Sequence, residues 1–174
     1  MFAGWDEFYL LIGGAAGGLI GLLFIVITLI RGGETGLKLR GASVFMTPTV
    51  AHLAMVLVLS ALATAPRLSA PVTGALFLAG AAACLTFTGR ALFMLVGGSV
   101  KATHWSDLWG YGVAPFLATL ALAVSAAAAW IAPDWAARGI AASVVAMLLI
   151  AIRNAWDLVT WISAKGGVLD REEG

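Results

Sequence analysis

The sequence predicts an all-α protein, a polytopic transmembrane helix bundle of five spans with its N-terminus out and its C-terminus in. Three observations lead there. Of the 174 residues 61% are hydrophobic and 11% charged, whereas a soluble domain carries roughly 25% charged residues. Five apolar stretches each approach or exceed the roughly 20 residues that cross the hydrocarbon layer as helix, the form that satisfies backbone polar groups within the segment. Basic residues, finally, collect in alternate loops.

The separators "RGGETG", "APRLSAP", "GGSVKATHWSDLWGYG" and "APDWAA" carry breaker chemistry, so a single bundle occupies residues 1–174. Mean hydropathy is +1.00. A net charge of +1 argues against a nucleic-acid partner. The single Cys84 cannot close an internal disulfide and reads as a small buried apolar residue.

The first span, residues 8–30, follows Trp5, Asp6 and Glu7 and precedes Arg31. A cleavable signal has its basic residue ahead of the apolar core, so this segment is expected to stay. Gly13, Gly17 and Gly21 are spaced four apart, and Gly14 and Gly18 repeat the spacing one residue on. At 100° per residue all five fall within about 140° of arc, with Thr28 on the same stripe. Small-xxx-small faces let membrane helices approach closely. This one is read as packing within the chain or as a subunit interface.

The second span, 47–65, carries His52 one to two turns from its inner end. In the third, 72–96, Ala79, Ala83 and Thr86 share the stripe of Arg90, which is expected to be a packing face rather than a lipid face. The fourth, 113–131, is led in by Tyr111; Pro115, Ala118, Leu122, Ser125 and Ala129 continue its face. Pro115 belongs in the first turn, where a missing N–H costs least.

The fifth span, 139–162, sets Arg153 and Asp157 four residues apart on a stripe with Gly139, Ala142, Ala146, Thr160 and Ala164. Such a pair can bridge along the helix. The opposite row, Ile140, Val144, Leu148, Ala151, Ala155, Leu158 and Ile162, has no polar group. The apolar row is therefore expected to face lipid, with the charges turned inward.

Arg31, Lys38, Arg40, Lys101, Lys165 and Arg171 fall on one side of the spans; Arg67 and Arg138 fall on the other. The positive-inside rule then places the C-terminus in. Tryptophans agree, with Trp5, Trp130 and Trp135 at the outer interface and Trp105, Trp109 and Trp161 at the inner one. Under that topology His52, Arg90, Tyr111, Arg153, Asn154 and Asp157 come to one layer near the cytoplasmic side. A charge at a helix centre costs about 2.5 to 3.5 kcal/mol on the insertion scale, so such groups are expected to have partners. The layer is read either as a polar network or solute path, or as a device that fixes helix register.

Other chemistries find little support. Two histidines, one cysteine and one embedded carboxylate make no metal site, and haem ligation would need His104, which belongs to a loop. No span contains a lysine for retinal, and no paired aspartates or serine–histidine pair suggest intramembrane proteolysis. No enzyme and no cofactor are expected.

"WDEFYLLIGGAAGGLIGLLFIVITL" (5–29) and "NAWDLVTWI" (154–162) resemble the two ends of small bacterial integral membrane proteins. These are labelled hypothetical, or modulators of the membrane-anchored AAA protease. "FMTPTVAHLAMVLVLSALATAP" (45–66) matches only in pattern, and Arg153 and Asp157 depart from that family. The resemblance implies a multi-span protein of the bacterial inner membrane and supplies no catalytic residues. Function is expected to be that of a small channel or transport protein acting as a homo-oligomer through the glycine face of span one. If a pore exists, Arg90 and Arg153 against Asp157 lean towards anions. The alternative is a non-conducting accessory subunit whose loops "RGGETGLKLR" and "KATHWSDLW" bind another membrane protein.

Overall fold

A computed structural model describes residues 1–31, 39–66, 68–97 and 105–172. Helices account for nearly all of them: α1 (Asp6–Arg31), α2 (Leu39–Ala63), α3 (Ala70–Val96), a single turn α4 (Trp105–Asp107), α5 (Ala114–Ala127) and α6 (Pro133–Glu172). A π-helical turn, Leu108–Val113, leads into α5, and a 3-10 turn, Ala128–Trp130, closes it. The chain is all-α among these residues. Among the described residues four segments are long and apolar enough to cross a membrane, at Asp6–Val26, Ala70–Val96, Leu108–Trp130 and Pro133–Asp157, and Thr49–Ala63 is a shorter apolar helix. The five expected apolar stretches are thus five helices. Loop residues 32–38, Arg67 and 98–104, with Lys38, Lys101 and His104, lie outside the described residues.

Local chemistry sets the ends. Gly4 takes φ 80° in a turn closed by Trp5 N–H donating to the Phe2 carbonyl at 3.0 Å, the left-handed position that glycine fills at no steric cost. The turn folds Phe2 back onto Tyr9 and Phe77, with ring centroids 4.9 and 5.5 Å away. Pro71 opens α3 in its first turn and Pro133 opens α6, positions where an N–H has no intrahelical acceptor, whereas Pro115 in the first turn of α5 follows directly on the π turn.

Small residues fix the antiparallel register. A Cβ placed on Gly13 would come within 2.9 Å of the Ser60 Cβ, and one on Gly80 would lie 3.3 Å from the Met55 sulfur. Gly74 sits against Ala129 and the Ala126 carbonyl, and Gly139 against Ser125. The Thr119 hydroxyl meets the Cys84 sulfur at 3.7 Å. α6 packs on α2, α5 and α1, and α3 on α2 and α5. With neighbours antiparallel, Trp5, Trp130 and Trp135 fall at one end of the bundle and Trp105, Trp109 and Trp156 at the other.

Two faces differ from expectation. On α3 the buried row is Thr73, Gly74, Phe77, Ala81, Cys84 and Thr88, while Ala79, Ala83, Thr86 and Arg90 are exposed. On α6 the apolar row Ile140, Val144, Leu148 and Ala151 is buried, and Ala142 and Arg153 are exposed. Helix α6 is therefore inverted relative to the sequence reading. Its β-branched and leucine side chains fill the gap between α2 and α5, and the charged stripe is left outside. Helix α5 behaves as expected, with Tyr111, Pro115, Ala118, Leu122 and Ala129 on one buried face.

The glycine face of α1 divides. Gly13 and Gly17 turn towards Ser60 and Leu57 of α2, so they are spent on packing inside the chain. Gly14, Gly18 and Gly21 have no neighbour within 4 Å. Thr28 is exposed and returns its hydroxyl to the Phe24 carbonyl at 2.7 Å.

Candidate functional site

The polar constellation at the Trp105–Trp109 end of the bundle is built on the sequence "LWGYGVAP". Its π turn widens the helix so that carbonyls meet N–H groups five residues on. Continued in that register, the Gly110 carbonyl would meet position 115, and Pro115 has no N–H to give. The vacancy is filled from α6: the Asn154 side-chain amide donates to the Gly110 carbonyl at 3.0 Å. Asn154 is only 2% exposed. In return the Tyr111 hydroxyl donates to the Asn154 backbone carbonyl at 3.2 Å. Two buried bonds thus lock the π turn to α6.

Arg153 closes the constellation from outside. Its Nη1 donates to the Asn154 side-chain oxygen at 3.2 Å, and its Nη2 lies 3.1 Å from the Asp157 carboxylate. The guanidinium rests on Gly110, where a Cβ would overlap it, so glycine here is a requirement of close approach. Both charged side chains remain part-exposed, 45% for Arg153 and 41% for Asp157. A pair this open contributes only about 0–1 kcal/mol in water. Asn154, not the ion pair, carries the buried part of the site.

Four of the six expected layer residues therefore meet: Tyr111, Arg153, Asn154 and Asp157. Arg90 does not join them. Contacts between α3, α5 and α6 put it at the level of Arg153, so its depth agrees with expectation, but it is exposed on the outer face of α3. It makes no hydrogen bond or ion pair among the described residues.

His52 also lies elsewhere. The pairings Gly80–Met55, Cys84–Thr119 and Ser125–Gly139 set it level with positions near 84 in α3, 119 in α5 and 146 in α6. Asn154 is eight residues further along α6, about 12 Å at roughly 1.5 Å per residue. His52 is 1% exposed, and neither ring nitrogen has a hydrogen-bond partner among the described residues.

One position of the constellation escaped the sequence reading, Gly110, whereas Asn154 was expected in the polar layer and is its buried member. The signal was present as a Gly–Tyr–Gly run that begins five residues before Pro115. A second concavity lies at the opposite end of the bundle, a cavity of about 290 Å³ among Met1, Phe2, Asp6, Ala63, Thr64 and Thr73. Comparison of the chain with protein-family models, with curated proteins and with solved structures finds no match.

Proposed function

We propose that the chain is a small channel or transport protein of the bacterial inner membrane, N-terminus out and C-terminus in, that works as a homo-oligomer. The conducting path runs between copies, and Arg90, Arg153 and Asp157 line it near the cytoplasmic side. One observation carries this reading: Arg90 faces out of the bundle without a partner among the described residues, level with the part-exposed Arg153–Asp157 pair. Charges on a lipid-facing surface are costly and need a partner or water, and packing between copies supplies both. The open row Gly14, Gly18 and Gly21 offers the close helix approach that such packing needs. Two arginines against one aspartate favour an anion.

The test is oligomeric state in lipid nanodiscs, with anion flux into liposomes loaded with a halide-quenched dye. A homo-oligomer whose flux falls at least fivefold in Arg90→Ala supports the reading, and a monomer with silent liposomes overturns it. A second reading draws on the same exposed arginine. An accessory subunit would use the Arg90 face to bind another membrane protein, in keeping with the resemblance of the terminal segments to protease modulators. It predicts a monomer that co-purifies with one stoichiometric partner, lost in Arg90→Ala.

A further inference from the structure

Four helices close a ring around the bundle axis: α2 packs on α3 and α6, and α5 packs on the same two. One layer of that ring gathers an unusual set of side chains. The contacts that fix register put His52 of α2 level with Cys84 of α3, Thr119 of α5 and Met147 of α6. These four lie on inward faces, being 1%, 2%, 0% and 0% exposed. The Thr119 hydroxyl is 3.7 Å from the Cys84 sulfur. On α2, Met55 and Leu59 meet Gly80 of α3. At about 100° per residue His52 stands roughly 60° from Met55 and 20° from Leu59, so it turns with them towards α3. Neither of its ring nitrogens has a hydrogen-bond partner among the described residues. Buried polar atoms are nearly always paired, because an unmade bond is costly to bury. A bare imidazole level with a buried thiol and a buried thioether calls for a shared ligand.

We propose that this layer binds one soft monovalent metal ion, copper(I), through a His52 ring nitrogen, the Cys84 sulfur and the Met147 sulfur. Helix bundles build metal sites in this way, from inward side chains on facing helices. A histidine and a cysteine alone fall short of a site, and the thioether supplies the third donor. The Thr119 hydroxyl stands beside the coordinating sulfur as an outer-shell partner. The site lies within one protomer and stands whether or not copies associate or conduct.

Donor type and charge together select the ion. Thiolate and thioether sulfurs suit copper(I) and zinc(II), and imidazole suits both metals. Binding displaces the thiol proton to water, so a copper(I) ion on one thiolate leaves the core neutral. Zinc(II) on the same three donors would leave a net positive charge at mid-span, where a charge costs about 2.5 to 3.5 kcal/mol on the insertion scale. Nothing nearby cancels it. α6 has no ionisable side chain between Arg138 and Arg153, and α5 has none from Ala114 to Ala127.

The experiment uses the full chain in nanodiscs, titrated with copper(I) under ascorbate against a chromophoric copper(I) chelator. One ion per chain is expected, with copper X-ray absorption showing one nitrogen and two sulfur scatterers. Affinity is expected to fall at least a hundredfold in Cys84→Ser and at least tenfold in His52→Gln and in Met147→Leu. Leucine conserves the methionine volume, so it tests the thioether without disturbing the fold, and circular dichroism checks helix content in all three variants. A hundredfold excess of zinc(II) is expected to leave the copper in place. No stoichiometric binding, a spectrum without sulfur scatterers, or copper retained in Cys84→Ser and Met147→Leu but lost in His104→Gln overturns the proposal. Displacement by zinc(II) overturns the assignment to a monovalent ion.

Discussion

Replacing Asn154 by leucine tests whether the lock between the π turn and α6 is held by its buried amide or by its ion pair. Leucine keeps the branched shape, though it is somewhat larger, but removes the donor to Gly110 and the acceptor for Arg153 Nη1. The Gly110 carbonyl is buried, and Pro115 cannot supply an N–H, so the carbonyl is left without a partner. Stranding a buried acceptor costs about 1–3 kcal/mol. Side-chain hydrogen bonds in membrane proteins average only about 0.6 kcal/mol because the unfolded chain in lipid finds substitutes. Here the substitute is blocked by proline, which favours a loss of about 2 kcal/mol, inside the range for a stranded acceptor. The contact from Arg153 adds little, since that guanidinium is nearly half exposed and can turn to water or headgroups.

Tyr111→Phe is the internal control. It removes a donor to a backbone carbonyl that the α6 ladder already serves, and should cost no more than about 1 kcal/mol. Reversible unfolding in mixed micelles, followed by tryptophan fluorescence, ranks the two. Asn154→Leu is expected to exceed a neutral surface change, which shifts stability by no more than about 0.5 kcal/mol. A loss that small, or one smaller than that of Tyr111→Phe, would mean that the π turn is not held as described.

Further expectations follow from the close contacts. Gly110→Ala pushes the Arg153 guanidinium away, and because that is the free end of a flexible, part-exposed side chain, stability should drop by under about 1 kcal/mol. Phenylglyoxal modification of Arg153 should accelerate at least threefold in the same variant. Gly74→Ala meets the Ala129 Cβ at 2.7 Å and the Ala126 carbonyl at 3.1 Å, neither of which can rotate away, so a loss of about 1–3 kcal/mol is expected by the same micelle unfolding. Gly14→Leu with Gly18→Leu should leave monomer unfolding within about 0.5 kcal/mol of wild type, the range of an ordinary surface change, while weakening self-association in nanodiscs. Unchanged association would remove that row from the interface. Cys84, buried under Thr119, should resist maleimide in the folded protein and react fully after denaturation.

Element existence and depth were legible because both rest on length. A run of about 20 apolar residues must be helical in lipid whatever it packs against, and α1 and α3 keep nearly the bounds read from the sequence. Depth follows from counting about 1.5 Å per residue from each span's end, and the count set Arg90 level with Arg153. Counting misplaced His52, because α2 continues back to Leu39, eight residues before the apolar stretch was taken to begin.

Azimuth was not legible, and the reason is physical. A helix in water shows its buried side as an apolar stripe, but in a bilayer both the core and the lipid are apolar, so hydropathy marks neither. The expensive-charge rule was used instead and turned α6 the wrong way. It assumes that a charge near the membrane centre has nowhere else to go, whereas Arg153 and Asp157 lie in the last turns of the span Pro133–Asp157, within reach of the interface. Hydrogen-bond satisfaction discriminates better. Asn154 cannot snorkel on its short side chain, and Gly110 offers a carbonyl that Pro115 cannot serve. That match alone puts position 154 inside and, at about 100° per residue, turns position 153 about 100° away from it and position 157 about 60° away, to the edge of the buried face. Unserved carbonyls, found by counting back from each proline inside a span, are therefore a stronger guide to the inner face of a membrane helix than the position of its charges.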